Sequence, residues 1–391
     1  MPDNAHSAPL PFNRSVQWDI FCHVIDNFGD IGVSWRLARQ LQHDYRQTVR
    51  LWVDDLHSLT RIAPQIKPDL PRQFFRNIEI RHWPSPFPAC TPGDVVVEMF
   101  ACTLPDAYVM AMTRKSRAPV WINLEYLSAE DWVPAYHGLR SPHPRLPLTK
   151  TFFFPGFVPG TGGLLRENDL IRRRAGFDEQ KAQQFWRSIG APERAARECR
   201  VSLFCYEHAP LKELIAIWTQ SPAPIFLIVP QGRIADQVTA ILSTRSVHAG
   251  EVITAGRLSV KIIPFLEQTQ YDTLLWACDL NFVRGEDSFV RAQWAGKPFV
   301  WHIYPQSEQA HWKKLDAFVQ LYTKQMPENV VYALRKFWHG WNGMAEIDAS
   351  TWQDYRDCFA ALESYNAAWR QTLAAQHDLA FNLVQFAGNQ L

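Results

Sequence analysis

The stretch 279–303, DLNFVRGEDSFVRAQWAGKPFVWHI, admits few folds. Its apolar run Leu280, Phe282 and Val283 stops at Arg284-Gly285, two acids and a serine follow, and the spacing of Phe289, Ala292 and Trp294 predicts a helix. A strand that turns through glycine directly into a helix opens a crossover connection, the unit from which parallel sheets are built. Glycine permits the sharp turn and Ser288 offers an N-cap hydroxyl. The first free N–H groups of the helix then point beyond the strand end, a place suited to a diphosphate. The alternative is that Glu286 and Asp287 only complement the positive helix end.

The same pattern occurs earlier. An apolar strand over 18–25 runs into IDNFGDIG, and a helix from Gly32 carries Val33, Leu37, Ala38 and Leu41 on one face with Arg36, Arg39 and Gln40 on the other. Further strands are expected at 49–53, 78–82, 94–98 and 120–124, with a short one at 151–154 inside a proline- and glycine-rich stretch over 141–163. A charged, exposed helical segment over 166–200 follows. The alternation then restarts, with strands at 201–206, 224–229, 260–265, 280–283 and 298–303 and helices at 211–220, 271–278 and 288–295. Beyond 306 the pattern is helical. At 391 residues the chain is long for one core. The expected division is a first α/β domain over 1–185, a second over 186–350, and C-terminal helices over 351–391 packing back towards the first. Ligands of open α/β sheets bind outside the carboxyl ends of the strands, so the cleft between two such domains is the expected site.

Charge excludes some partners. Forty Lys and Arg balance 39 Asp and Glu, so nothing global argues for nucleic acid or a membrane surface. The seven scattered cysteines, without C-x-x-C spacing, read as buried thiols of a reducing compartment. A polar start and the lack of an apolar run of membrane-spanning length point to the cytoplasm. Dinucleotide fingerprint, P-loop, HExxH and GxSxG are absent, as is an Asp-x-Asp pair for a metal-held diphosphate; no metal is expected.

Two places carry chemistry. Asp26 and Asp30 flank Asn27, Phe28 and Gly29 in the turn after the first strand, where a general base belongs, although Asp30 could equally cap the helix. Phe204 and Tyr206 alternate at a strand end and could sandwich a planar base, or be core aromatics. Phe265 and Gln268 are placed to complete that pocket. Glu125, Tyr126 and Glu130 follow a strand of the first domain and could meet a basic loop of a partner.

Residues 25–41, IDNFGDIGVSWRLARQL, together with 281–306, NFVRGEDSFVRAQWAGKPFVWHIYPQ, resemble the elongation factor P arginine rhamnosyltransferase family. That resemblance implies a GT-B glycosyltransferase with two Rossmann-like domains facing across a cleft, the first taking the acceptor and the second the nucleotide sugar. The implied donor is dTDP-β-L-rhamnose, with no other cofactor. The implied acceptor is an arginine of folded elongation factor P, activated in this way to rescue ribosomes stalled at polyproline, and the anomeric centre inverts. By position, Asp30 matches the catalytic base, Asp26 a nearby essential acid and Glu286 an essential donor-site carboxylate. Phe204, Tyr206, Phe265 and Gln268 match the nucleotide pocket. Asp287 and Ser288 lie beside diphosphate and sugar, with Arg284 and Gly285 leading into them, and Asn27, Phe28 and Gly29 are counted among the substrate-binding residues. Two other readings stay open: a GT-B enzyme acting on a small molecule or glycan, and a nucleotide-sugar-binding protein without catalysis.

Overall fold

The structure, a computed structural model, describes residues 16–26, 28–242 and 250–391. Asn27, one of the expected substrate-binding residues, lies outside the described residues. The chain forms two compact units: one runs to Asn168 and takes up Gln376–Leu391, the other is Asp169–Ala375. Where cuts were expected at 185 and 350, the chain changes unit after 168 and again after 375. Of the C-terminal helices, Leu379–Gln390 belongs to the first unit and Phe359–Ala374 to the second.

The first unit contains strands β1 (Gln17–Cys22), β2 (Thr48–Val53), β3 (Arg72–Phe75), β4 (Ile78–His82), β5 (Val95–Met99), β6 (Val120–Leu124), β7 (Arg140–Pro142) and β8 (Thr149–Phe153). They form one sheet in the order β3-β4-β2-β1-β5-β6-β8-β7, parallel except for β3 and β7 at its two edges. Strands covered on both faces need near-continuous apolar runs, and β5, VVVEM, is buried throughout. The two edge strands were not anticipated. The β3–β4 hairpin turns at Arg76 and Asn77, both with positive φ, without the Asn-Gly pair that normally announces such a turn.

The second unit repeats the plan with β9 (Cys199–Leu203), β10 (Ile225–Pro230), β11 (Val252–Ala255), β12 (Leu258–Ile263), β13 (Leu280–Arg284) and β14 (Phe299–His302). The order is β11-β12-β10-β9-β13-β14, with only β11 antiparallel. In both sheets the winding reverses beside the first strand, between β1 and β5 and between β9 and β13. Adjacent loops diverge at such a switch point and leave a crevice at the strand ends. Strands β1, β9 and β12 stop at Cys22, Leu203 and Ile263, earlier than expected, so the residues that follow are free to form loops there.

Buried polar groups hold these layers in register. Asp19 in β1 accepts from Arg50 Nε at 2.8 Å, from the Gly93 N–H at 2.9 Å and from the Tyr108 hydroxyl. In the second unit, Asp272 and Arg291 form a bidentate pair at 2.8 and 2.7 Å, both side chains buried. It locks the helix Gln268–Ala277 to the helix Asp287–Ala295, the two helices that start at the expected donor site. Asn281 links β13 to β9 through the Ser202 hydroxyl at 2.6 Å and donates to the Leu275 carbonyl at 2.9 Å.

The helix expected from Gly32 begins at Gly29 and runs to His43. Its supposed polar face is covered. Arg36 pairs with Glu167 at 2.9 Å, while Gln40 donates to the Arg166 carbonyl and to Asp378 Oδ1. Arg36 and Gln40 are therefore core residues, because the segment around 166 and the start of the last helix pack over them. All seven cysteines are free thiols. Among the described residues no helix is long and apolar enough to cross a membrane.

Candidate active site

The expected site residues fall into two groups, one in each unit. In the first unit Asp26, Phe28, Gly29 and Asp30 share the turn after β1. Phe28 is the N-cap of the helix and provides no side-chain cap, and Asp30 sits in the first helical turn. Asp30 does not cap that helix: its Oδ2 reaches back to accept the N–H groups of Ile25 and Asp26, both at 2.9 Å. Its side chain is 2 % exposed. Burial pushes its pKa up from 3.8 to about 6, helped by the neighbouring Asp26 charge and opposed by the two backbone N–H groups and the Tyr126 hydroxyl. A carboxylate so placed is ionised at neutral pH yet a stronger base than an ordinary aspartate.

Gly29 lets the Asp26 side chain lie close to the helix start. A Cβ there would lie 3.0 Å from Cγ of Asp26, so the Asp26 side chain rests directly on the glycine. Tyr126 approaches from the end of β6, its hydroxyl 3.4 Å from Asp30 Oδ1. Glu125 and Glu130, which could meet a basic loop of a partner, also bond within their own segment. Glu125 accepts from Asn123 Nδ2 at 2.8 Å and Glu130 from the Ser128 hydroxyl at 2.9 Å.

The second group gathers at the carboxyl ends of β9, β12 and β13. Phe204 and Tyr206 lie beyond β9 in irregular backbone rather than alternating on a strand. The Arg284 guanidinium lies over both rings, 4.5 Å from the Phe204 centroid and 4.6 Å from that of Tyr206, and donates to the Cys205 carbonyl at 3.2 Å. Phe265 meets Phe204 edge-on at 6.3 Å, and Tyr271 meets it at 6.0 Å. Tyr206 is buried, while Phe204 and Phe265 are half-buried.

Gly285 makes the turn with φ 57°, and the helix Asp287–Ala295 follows, with half-buried Glu286 as its N-cap and no side-chain capping bond. Ser288 is not the cap. Its hydroxyl donates to the Arg284 carbonyl at 2.5 Å and accepts the Arg284 N–H at 2.9 Å, stitching the helix to the strand end. Gln268 Nε2 donates to Asp287 Oδ2 at 3.4 Å, so these two candidates are neighbours.

His302, the last residue of β14, was overlooked. It pairs in register with Arg284, accepts the Tyr206 N–H at Nδ1 at 3.1 Å, and packs at a tilt against His208 with centroids 4.5 Å apart. Burial holds its pKa well below the usual histidine value, so it is neutral and fixes the loop that carries Tyr206. Its place at the end of a strand beside the glycine turn was the available signal. Among the described residues no group of three or more His, Cys, Asp or Glu is arranged to hold a metal ion.

The second unit thus carries an aromatic cluster with a cation over its rings and a helix N-terminus behind a glycine turn, and the first unit carries a buried carboxylate in the turn after its first strand. A family model described as elongation factor P (EF-P) rhamnosyltransferase EarP matches residues 18–388. A protein-arginine rhamnosyltransferase of Pseudomonas putida is 45% identical over 376 residues, covering 96% of this chain and 99% of that one. A solved structure, described as the structural basis for EarP-mediated arginine glycosylation of translation elongation factor EF-P, shares 34% identity at TM-score 0.67, covering 96% of this chain and 100% of that chain. A glycosyltransferase of Rickettsia africae shares the fold at TM-score 0.51 with 8% identity, over 96% of this chain and 97% of that one. The two sheets are the Rossmann-like halves of a GT-B glycosyltransferase. The chain belongs to the elongation factor P rhamnosyltransferase (EarP) family.

Proposed function

We propose that this protein transfers L-rhamnose from dTDP-β-L-rhamnose to a guanidinium nitrogen of an arginine on elongation factor P, inverting the anomeric centre. Family membership and the activity named for the Pseudomonas putida relative support the reaction class. The observation that carries the chemistry is Asp30, a buried carboxylate with its pKa raised to about 6 at the carboxyl end of β1.

A guanidinium, with a pKa above about 12, is not deprotonated in advance by any carboxylate. Asp30 first holds it by charged hydrogen bonds. It accepts the proton as the new C–N bond forms and the nitrogen loses basicity. Asp26, resting on Gly29 beside it, shares the cation. In the second unit Phe204 and Phe265 offer ring surface to the thymine. Arg284 and the first N–H groups of the helix Asp287–Ala295 meet the charge that develops on the leaving diphosphate, a role for which no metal is needed. Glu286 would repel phosphate there, so it serves a sugar hydroxyl or the positive charge growing at the anomeric carbon. The reaction belongs in the cytoplasm, where the factor assists ribosomes at polyproline.

The test is intact-mass measurement of purified elongation factor P after incubation with the protein and dTDP-rhamnose, followed by fragmentation to locate the site. A gain of one deoxyhexose on an arginine is expected. Release of dTDP with no mass gain on the factor would move the acceptor to a small molecule or glycan.

A further inference from the structure

We infer that Tyr126 is a positioning residue for Asp30, and that Oδ1 of Asp30 is the oxygen that takes the substrate proton. This rests on Asp30 being the base proposed above. The two carboxylate oxygens are not equivalent: Oδ2 is engaged by the Ile25 and Asp26 N–H groups at 2.9 Å, while the hydroxyl of Tyr126 faces Oδ1 at 3.4 Å. Oδ2 is the fixed anchor. Oδ1 keeps lone-pair capacity for a substrate N–H, with one side of it bounded by the tyrosine.

The tyrosine is itself held by an unusual construction. Its ring stacks on Phe100 with centroids 4.4 Å apart and planes at 17°. Phe100 and Ala101, directly after β5, have φ of 57° and 54°, a left-handed backbone unfavourable for any residue with a Cβ. That turn is pinned to β6: the Phe100 N–H donates to the Leu124 carbonyl at 2.7 Å, and the Ala101 N–H to Oδ1 of buried Asn123 at 3.2 Å. Local strain that the surroundings impose, at a switch point and under the ring that contacts Asp30, marks a position where geometry matters more than stability.

The titratable groups facing Asp30 are Asp26 from its own turn, Cys22 at the end of β1 and Tyr126 from the loop after β6. The Cys22 thiol is held neutral by burial, so Asp26 raises the proton affinity of Asp30 and the tyrosine hydroxyl lowers it. In the transfer step the guanidinium nitrogen bonds to the anomeric carbon. The bond from that carbon to the diphosphate oxygen breaks with its electron pair leaving on the diphosphate, and the nitrogen's proton passes to Oδ1. Tyr126 keeps its own proton throughout.

The test uses the full chain with Tyr126→Phe. Carbon-13 carboxyl NMR of aspartate-labelled protein should show Asp30 titrating at higher pH than in the wild type. The acid limb of kcat for elongation factor P should move the same way, with a loss of about tenfold near pH 6 and unchanged donor KM. Phe100→Gly keeps the left-handed turn but removes the stacked ring, and should shift Asp30 in the same direction. An Asp30 titration that does not move in Tyr126→Phe, or a kcat reduced evenly at every pH, overturns the inference. The NMR titration needs no acceptor, so its failure is distinct from a wild-type enzyme that does not modify elongation factor P.

Discussion

Replacing Asp30 by asparagine should stabilise the protein at neutral pH while abolishing transfer. The amide oxygen of Asn can accept the Ile25 and Asp26 N–H groups that Oδ2 accepts now, at 2.9 Å each, so the turn keeps its bonds. What disappears is a charge in a side chain only 2 % exposed. The native pKa of about 6 lies above the ordinary 3.8, so Asp30 favours the folded state in acid and that contribution is lost as pH rises through 6. The ionised group therefore costs about 3 kcal/mol at roughly pH 7.5 and about 1 kcal/mol at roughly pH 4.5. Asparagine is neutral throughout, so the advantage of Asp30→Asn should be largest at neutral pH and narrow in acid. Urea unfolding followed by circular dichroism at both pH values reads this difference. The transition of the first unit, which contains Asp30, is the one expected to move. An asparagine variant less stable than wild type at neutral pH, or an advantage that does not change with pH, would refute the premise that burial raises this carboxyl.

With a base of pKa about 6, kcat/KM should fall to about a tenth of its plateau near pH 5, where an ordinary carboxylate would still be almost fully ionised; a flat profile from there to neutrality removes Asp30 from the role. Gly285→Ala places a Cβ on backbone with φ 57°, at a cost of about 1–2 kcal/mol, and should raise the calorimetric Kd for dTDP by tilting the following helical turn. Unchanged affinity would mean that this turn does not hold the donor. Phe204→Ala should weaken dTDP binding about tenfold through lost stacking, without moving the pH profile of transfer, and unaltered binding would take the ring out of the pocket.

Parallel strands were legible where burial writes a pattern: 120–124, a mostly apolar run, coincides with β6, and 78–82, where buried Ile78 and Ile80 alternate with half-buried polar residues, coincides with β4. The turns at 25–30 and 284–288 were legible because glycine and acids follow those runs. What escaped notice depends on residues distant in the chain. Arg36 and Gln40 look like a polar helix face until Glu167 and Asp378 arrive to pair with them. Trp18, Trp35, Trp52, Trp218, Trp294, Trp338 and Trp341 are fully buried core residues, which sequence alone does not distinguish from the aromatics of a binding site. The cation over Phe204 and Tyr206, the neutral His302 and the Phe100 stack beneath Tyr126 each join strands remote in sequence, and no local pattern encodes them.

The helix Leu379–Gln390 gives the first unit a particular order of assembly. Asp378, which caps that helix, receives the Gln40 amide and the Tyr45 hydroxyl, and Arg117 donates to the Gln390 carbonyl at 2.6 Å. During synthesis these earlier residues leave the ribosome long before their partners, with the entire second unit translated in between. The unit that carries Asp30 thus completes itself last, although its sheet is made first.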